Sequence, residues 1–309
     1  MISIFQQPLF YQFLESTESL DPFRFVVERN GKEVGVIQGF IQKDGGPIKR
    51  FFSRRAIING GPWLSADIRN DELEHLLLKC VEGLKRKVIY IETRNFTDYS
   101  HFRHTFEKMG FVYEPHYDFV VDTSTLEIVN ERMGKSRKRD VNASFKQGVS
   151  VSDNPSDAEV NDYYYILKEL YTKKVKTPLF PKMFFECLWK APFSKYLLVK
   201  YQDEVIGGTA CVYDEETVYE WFACGKDGAF KNVFPSTVAT WSGIRFAVEN
   251  GFKRFDMMGA GAPGDGGYGV RDFKAKFGGE LVNYGRFRHV CAPLLYSIGV
   301  FTINLLKKK

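Results

Sequence analysis

The chain has 309 residues, enough for two domains of ordinary size that each build their own core. With 44% hydrophobic and 26% charged residues, the composition is that of a soluble globular protein, and the net charge of +5 permits an anionic partner without requiring one. The 5 cysteines are scattered without a CxxC pair, which argues against a disulfide framework or a cysteine metal site and for a cytoplasmic protein.

The first part of the chain predicts a complete α/β unit. Apolar runs bounded by turn residues predict strands over residues 23–28, 34–42, 50–58, 88–91 and 111–121. Apolar residues at helical spacing predict helices over residues 8–18, 71–85 and 101–109. The last of these helices stops at Gly110, where the chain turns into the final strand.

The same order of elements recurs in the second half of the chain. The predicted strands cover residues 196–201, 205–213, 217–223 and 255–258, with a last strand from residue 279 to about residue 288. A helix over residues 236–250 is stopped by Gly251. The repetition predicts two domains of one fold, over residues 1–125 and 126–309, the second beginning with a helical connection over residues 126–190.

The end of the chain is apolar and then basic. Residues 291–306 are largely apolar and precede three lysines, and a run of this length is shorter than the roughly 20 residues that a membrane-spanning helix needs. Two interpretations fit this segment: a C-terminal docking helix on the second domain, or a helix on a membrane surface whose lysines meet anionic lipid. Neither interpretation includes a transmembrane segment.

The order of elements and several local motifs resemble a known family. Meander, helix, parallel strand, helix, glycine and strand is the order of the GNAT (acyl-CoA N-acyltransferase-like) fold, and residues 106–111, Phe-Glu-Lys-Met-Gly-Phe, resemble the signature near the end of GNAT domains. Two tandem units resemble the Fem-type (FemAB-like) aminoacyltransferases, which build peptidoglycan interpeptide bridges. The agreeing stretches are residues 5–8, 53–57, 60–62, 135–139, 254–256 and 269–279.

The resemblance implies an α/β (α+β) fold with two tandem GNAT-like domains, each a mixed sheet flanked by helices. It implies a non-ribosomal aminoacyltransferase that moves an amino acid from aminoacyl-tRNA to an amine of a lipid- or nucleotide-linked peptidoglycan precursor. The expected location is the cytoplasm or the inner face of the membrane. No cofactor is expected, because aminoacyl-tRNA is the donor substrate.

Two other functions stay open at this point. One is a GNAT-type acyltransferase that uses acyl-CoA or acyl carrier protein to modify a small amine or a polysaccharide sugar. Neither copy has the Gln/Arg-Xaa-Xaa-Gly-Xaa-Gly/Ala loop that cradles the pyrophosphate of CoA at a helix N-terminus, so acyl-CoA is the poorer donor. The other is a non-catalytic module that binds a peptide or a nucleic acid.

Three residues near the end of the second copy are predicted to be catalytic: Lys274, Phe273 and Asp256. The first copy has Glu107 where the second has Lys274, and an ammonium there would stabilise the oxyanion that forms when an amine attacks an ester. An ordinary surface lysine is the alternative. The resemblance implies that Phe273 lines the site, and Asp256 would act either as a general base or as a cap of the following loop.

Aromatic and glycine-rich segments predict the substrate-binding surface. Tyr219 and Trp221 alternate on a predicted central strand and would either stack on a ligand or fill the core. The loop over residues 259–269 contains many glycines, so its backbone could wrap a substrate or form a lid, with Gly267, Tyr268 and Arg271 as contacts.

Basic residues predict contacts with phosphates. Substrate contacts are predicted for Lys173 and Lys174, at a point where family members often carry an arginine. A basic helix predicts contacts with tRNA or a nucleotide-linked muropeptide by residues Lys135, Arg137, Lys138 and Arg139. A solvated helix face is the alternative for both groups. No metal site is predicted, since His101 and His104 lack a third ligand.

Overall fold

The computed structural model of the chain describes residues 2–18, 20–43, 46–175, 177–264 and 269–307. The strands are β1 Asp21–Arg29, β2 Lys32–Gln42, β3 Arg55–Gly60, β4 Trp63–Leu64, β5 Tyr90–Asn95, β6 Val112–Glu114, β7 Asp118–Asp122, β8 Ser150–Ser152, β9 Ser194–Tyr201, β10 Glu204–Tyr213, β11 Thr217–Gly225, β12 Arg254–Asp256, β13 Glu280–Val282 and β14 Arg286–Val290. The α-helices are α1 Pro8–Glu15, α2 Pro47–Ser53, α3 Asn70–Leu84, α4 Arg103–Lys108, α5 Leu126–Arg132, α6 Lys135–Lys146, α7 Asp157–Leu170, α8 Lys182–Trp189, α9 Pro235–Glu249, α10 Gly269–Ala275 and α11 Pro293–Lys307. Short 3-10 turns lie at Ile4–Gln6 and Ser100–Phe102, and a π-helical turn at Tyr171–Val175 follows α7.

The first compact unit comprises Met1–Pro115 and Asn283–Lys309. Its sheet has the order β1-β2-β3-β5-β14-β6, with β4 on β2, and only the β3–β5 pair is parallel among its described strands. Helix α3 lies on β1 and β2 and buries an apolar stripe that includes Leu73, Leu76 and Leu77. The helix begins with a capping box, in which Glu72 accepts the Arg69 N–H at 2.9 Å.

The second compact unit comprises His116–Val282. Its sheet has the order β13-β7-β12-β11-β10-β9-β8, with β12 parallel to β11. Helix α9 covers β10 and β11 and approaches β12 closely at Gly243, where a Cβ atom would lie 2.7 Å from the Phe255 ring. Helix α7 also packs on β10 and β11, and the Tyr163 hydroxyl donates to the Phe222 carbonyl at 2.9 Å. The predicted fold class, two mixed sheets flanked by helices, is confirmed.

The unit boundaries differ from the predicted division into residues 1–125 and 126–309. The predicted strand over 111–121 is two strands, β6 in the first unit and β7 in the second. The predicted strand over 279–288 is likewise split into β13 in the second unit and β14 in the first. Pro115 interrupts the first because it has no N–H to donate to a ladder, and Gly285, at φ +66°, interrupts the second.

Two further predictions need correction. Residues 50–58 were expected to form one strand, but Pro47 at the first helical turn begins α2, and β3 starts only at Arg55. Helix α11 belongs to the first unit and not to the second, because the preceding strand β14 pairs with β5 and β6. Among the described residues, no helix combines the length and the apolar character that crossing a bilayer requires.

Candidate active site

Three carboxyl side chains on neighbouring strands of the second unit are buried together. Asp118 begins β7, Asp256 ends β12, and Glu220 lies within β11; they are 7%, 3% and 6% exposed. Strand β12 lies between the other two strands, and this order brings residues that are far apart in sequence to one place. The Asp118 and Asp256 side chains are hydrogen-bonded to each other. Burying acidic groups without matching cations is costly, so this cluster calls for a functional explanation.

A β-bulge determines the direction in which Glu220 points. Ala210 of β10 is paired with Phe222, and Cys211 is paired with Glu220, so Trp221 is the extra residue of β11. Because of the bulge, Glu220 lies beside Thr240 of helix α9 while Phe222 packs on α8. The Thr209 hydroxyl donates to Glu220 at 3.5 Å. In a regular strand Glu220 and Phe222 would share one face.

Lys274 is held beside the carboxyl cluster by the loop that follows β12. Its Nζ donates to the Met257 carbonyl and, at 2.8 Å, to the Gly259 carbonyl. One turn earlier on the same face of α10, Arg271 donates to the carbonyls of Ala260 at 2.9 Å and Ala262 at 2.5 Å. The two cations therefore fix the loop against the helix. Lys274 is a half-buried cation with defined partners and not a freely solvated surface lysine.

In the aspartate pair, Asp256 is the group whose pKa is raised further. Burial and the neighbouring Asp118 raise the pKa of Asp256 well above its ordinary value. Burial also raises the pKa of Asp118, but Lys274 and the backbone N–H groups of Phe119 and Gly259 favour its charged form. Asp256 accepts the Met258 N–H at 2.7 Å. This hydrogen bond is the capping contact named as the alternative for Asp256, whereas its general-base role stays a prediction.

Glu220 is a site residue that the sequence interpretation missed. Burial raises its pKa to about 7, although nearby Lys274 and Thr240 favour the charged form. It therefore exchanges a proton near neutral pH. The available signal was a single acidic residue in an otherwise apolar and aromatic strand, where β11 reads Val-Tyr-Glu-Trp-Phe.

Phe273 packs inward from α10 and is braced by the basic helix α6. Its ring lies 5.3 Å from that of Phe277, and the Arg137 guanidinium lies 4.4 Å from the Phe273 ring centroid. Arg137 also donates to Asp140 and to Thr237, both at 3.3 Å, and its side chain is 13% exposed. The structure thus assigns Arg137 to supporting α10 and corrects its predicted role in nucleic-acid binding, which an exposed cation would serve better.

The two predicted aromatic contacts lie in packed positions. Tyr219 is 5% exposed and its hydroxyl donates to Asp214 at 2.9 Å, so the structure supports the core alternative for this residue. Trp221 is half-buried and stacks on Phe222, with ring centroids 5.4 Å apart, and its ring lies 5.4 Å from that of Phe184. Neither ring is presented as an open stacking platform.

The remaining predicted contacts are spread over the second unit. Lys173 and Lys174 lie in the π-helical turn after α7, where Lys173 pairs with Glu169 at 2.5 Å. On α6, Lys135 is exposed and Lys138 half-buried, while Arg139 pairs with Asp140 at 2.8 Å. Gly267 and Tyr268 fall outside the described residues. Within the described part of the chain, no three His, Cys, Asp or Glu side chains are grouped so that they could hold a metal ion.

Comparison with known proteins gives the fold and a family match. A family model described as the FemAB family matches residues 192–307. The crystal structure of FemX superposes with a TM-score of 0.71 at 14% identity, covering 96% of this chain and 94% of that chain. A comparison with curated proteins found no match.

Two structures connected with lysylphosphatidylglycerol synthesis are also similar. The C-terminal domain of a putative lysylphosphatidylglycerol synthetase from Agrobacterium fabrum has a TM-score of 0.62 at 12% identity, covering 94% of this chain and 90% of that chain. L-PGS from Bacillus licheniformis has a TM-score of 0.60 at 14% identity and covers 97% of both chains.

The fold and the family match define an acyl- or aminoacyltransferase with tandem GNAT-like units. The residues that the family model covers include Lys274, Asp256 and Glu220, while Asp118 of the candidate site lies outside the matched range. The family match over residues 192–307 and the similarity to FemX agree with the resemblance that the sequence motifs carry.

Proposed function

We propose that the second unit transfers an amino acid from aminoacyl-tRNA to an amine of a peptidoglycan precursor, without a covalent enzyme intermediate. The observation that carries this proposal is the Lys274 ammonium, fixed by the carbonyls of Met257 and Gly259 beside three buried carboxyl groups. The FemAB family match over the same residues supports aminoacyl transfer in envelope synthesis. A cytoplasmic location follows from the proposed donor.

The proposed role of Lys274 is to stabilise the oxyanion of the transfer reaction. The acceptor nitrogen bonds to the ester carbonyl carbon, the ester C–O bond then breaks, and the amine's proton leaves with the ribose hydroxyl. Two of the three ammonium protons are bonded to Met257 and Gly259, and the third would bond the substrate oxygen. A fixed cation in a half-buried place stabilises developing charge more strongly than one that must reorganise in water.

An acidic side chain at the start of α9 argues against acyl-CoA as the donor. In GNAT enzymes that use CoA, the N-terminus of the corresponding long helix binds the pyrophosphate. Here the Asp227 carboxylate accepts the Ser236 N–H at 3.0 Å, within the first turn of α9. This carboxylate satisfies a backbone donor that an anion would use and repels a second negative charge. Aminoacyl-tRNA, whose reactive ester needs no such cradle, is the better candidate.

The acceptor is proposed to be a peptide amine and not a lipid hydroxyl. The FemAB family model and the FemX structure support the peptide, whereas the structural neighbours connected with lysylphosphatidylglycerol raise the lipid as the second candidate. Both acceptors would take the same donor. One assay that varies the donor and the acceptor independently can therefore identify both substrates.

The test presents donors and acceptors separately to the purified chain. Labelled amino acids on a mixed pool of charged tRNA are offered with nucleotide-linked muropeptide, lipid-linked muropeptide or phosphatidylglycerol, and acetyl-CoA is offered with the same acceptors. The expected result is a labelled muropeptide that is not formed when the tRNA is first discharged. Label in phosphatidylglycerol alone would overturn the acceptor, and transfer from acetyl-CoA alone would overturn the donor.

A further inference from the structure

An exposed apolar surface of the first unit is formed by helices α2 and α11, which contact each other. On α11 it includes Leu294, Ile298 and Phe301, which are 82%, 53% and 65% exposed. On α2 it includes Phe51 and Phe52, which are 46% and 42% exposed. These five residues are called the α2–α11 patch. Large apolar side chains grouped at a surface indicate an interaction site, whereas single ones do not.

The orientation of α11 is fixed by its inner face. The Tyr296 hydroxyl accepts a hydrogen bond from Arg288 of β14 at 2.8 Å, and its ring packs edge-on against Tyr90 of β5 with centroids 5.7 Å apart. Leu294, Ile298 and Phe301 follow at i, i+4 and i+7, so they share the face that points away from the sheet. The apolar stripe is therefore held outward by buried contacts.

The two chain segments that carry the patch are basic. Residues 45–66, which include α2, contain Lys49, Arg50, Arg54 and Arg55 and no acidic residue. The chain after residue 280 contains no Asp or Glu and ends in three lysines at residues 307–309. The Arg54 guanidinium lies 4.2 Å from the centroid of the Phe51 ring, so charge and apolar surface are adjacent.

We infer that the α2–α11 patch docks the protein on an anionic lipid surface. Helix α11 has 15 residues and is about 22 Å long, too short to span a bilayer but suited to lying in the headgroup region. Aromatic and aliphatic side chains insert between the headgroups while the surrounding cations meet lipid phosphates. A second copy of the chain is a poorer occupant, because a two-fold interface would place one cationic rim against another.

The test is co-sedimentation of the full-length chain with vesicles, in which no enzymatic substrate is needed. Phosphatidylcholine vesicles are compared with vesicles that contain phosphatidylglycerol. Binding is expected only to the anionic vesicles, and it should weaken at least tenfold in the Leu294→Asp/Phe301→Asp variant. Leu78→Asp is the matched control, since Leu78 is an exposed leucine, 46% accessible, on α3 of the same unit.

A second variant keeps the test valid if the aspartates impair folding. Replacing the three C-terminal lysines with glutamine leaves the apolar surface intact and should weaken binding to anionic vesicles several-fold. Equal binding of the wild-type chain to neutral and anionic vesicles, or no binding to either, would overturn the inference. So would a dimer in solution that the Leu294→Asp/Phe301→Asp variant separates, since the patch would then join two copies.

Discussion

Glu92 in the first unit and Asp256 in the second occupy equivalent places but have opposite surroundings. Glu92 is the third residue of β5, which pairs in parallel with β3, and Asp256 is the third residue of β12, which pairs in parallel with β11. Across the other edge, Glu92 is paired with Arg288 of β14, whereas Asp256 is paired with Val120 of β7. The strand that completes each sheet thus decides whether the buried carboxyl meets a cation.

The difference separates a neutralised ion cluster from an unbalanced one. Arg288 donates to Glu92 at 2.8 Å and Arg94 at 3.1 Å, and Arg286 lies 3.4 Å away. Burial alone would raise the pKa of Glu92, but these arginines together lower it to about 2. In the second unit three carboxyl groups share one lysine, and their pKa values are raised. The first arrangement stabilises a fold, while the second leaves a proton and an ammonium for chemistry.

Replacing Glu92 should give the largest effect on stability. Glu92→Gln removes the buried anion that Arg94, Arg286 and Arg288 share and leaves only Glu114 beside Arg288, so it is expected to reduce the free energy of unfolding at pH 7 by about 3–5 kcal/mol. Because the folded pKa of about 2 lies below the unfolded value of 4.5, wild-type stability from this group is full above pH 4.5 and is lost as the pH falls toward 2.

Urea unfolding at pH 7 and pH 3 measures both parts of this prediction. The difference between Glu92→Gln and wild type should shrink at pH 3. Glu107→Gln, an exposed carboxylate on α4 of the same unit, is the control and should change stability by less than about 0.5 kcal/mol. A Glu92 variant as stable as this control would contradict the structural role of the cluster.

Glu220 should show the opposite dependence on pH with a somewhat smaller effect. Its folded pKa of about 7 lies above the unfolded value of 4.5, so the folded state holds the proton more tightly and stability falls as the pH rises from 4.5 through 7. The cost above pH 7 is up to about 3 kcal/mol. Glu220→Gln should remove it, making the variant more stable than wild type at pH 8 and equal to it at pH 4.5. Parallel stability curves for the two proteins would refute this prediction.

Asp256 should give the smallest change in stability. Asp256→Asn keeps an oxygen that accepts the Met258 N–H and offers an N–H to Asp118 where the protonated carboxyl donates now. We expect the free energy of unfolding at pH 7 to change by less than about 1 kcal/mol. The same acid-to-amide change is therefore severe at Glu92 and mild at Asp256. A loss of 3 kcal/mol or more at Asp256 would show that its ionised form supports the fold.

Local sequence signals predicted most helices and strands and selected Lys274 for the candidate site. The spacing of apolar residues predicted α3 and α9. The motif that contains Lys274 was recognised, but the carbonyl groups that Lys274 contacts were not predicted. The sequence did not predict that β7 joins the sheet of the second unit and β14 the sheet of the first. Pro115 and Gly285 show where a strand stops, but they do not show which sheet the next strand joins.

Local sequence patterns also did not predict the carboxyl cluster. Asp118, Glu220 and Asp256 lie in one region only because β7, β12 and β11 are neighbours, which is a property of the sheet order. The raised pKa of Asp256 has the same origin, since it depends partly on Asp118, which comes from a distant part of the chain. Likewise, the inward packing of Arg137 depends on Phe273, which the charge pattern of α6 does not reveal.

The second unit is proposed to be catalytic through Lys274, and single-turnover transfer of the amino acid is the most direct test. Lys274→Ala is compared with Lys276→Ala, which removes an exposed lysine two residues further on, and thermal unfolding verifies that both variants are folded. Losing one stabiliser of the oxyanion should slow transfer by about 10²–10³-fold in Lys274→Ala, while Lys276→Ala should retain the wild-type rate. A folded Lys274→Ala variant that transfers at the rate of Lys276→Ala would show that Lys274 does not stabilise the oxyanion.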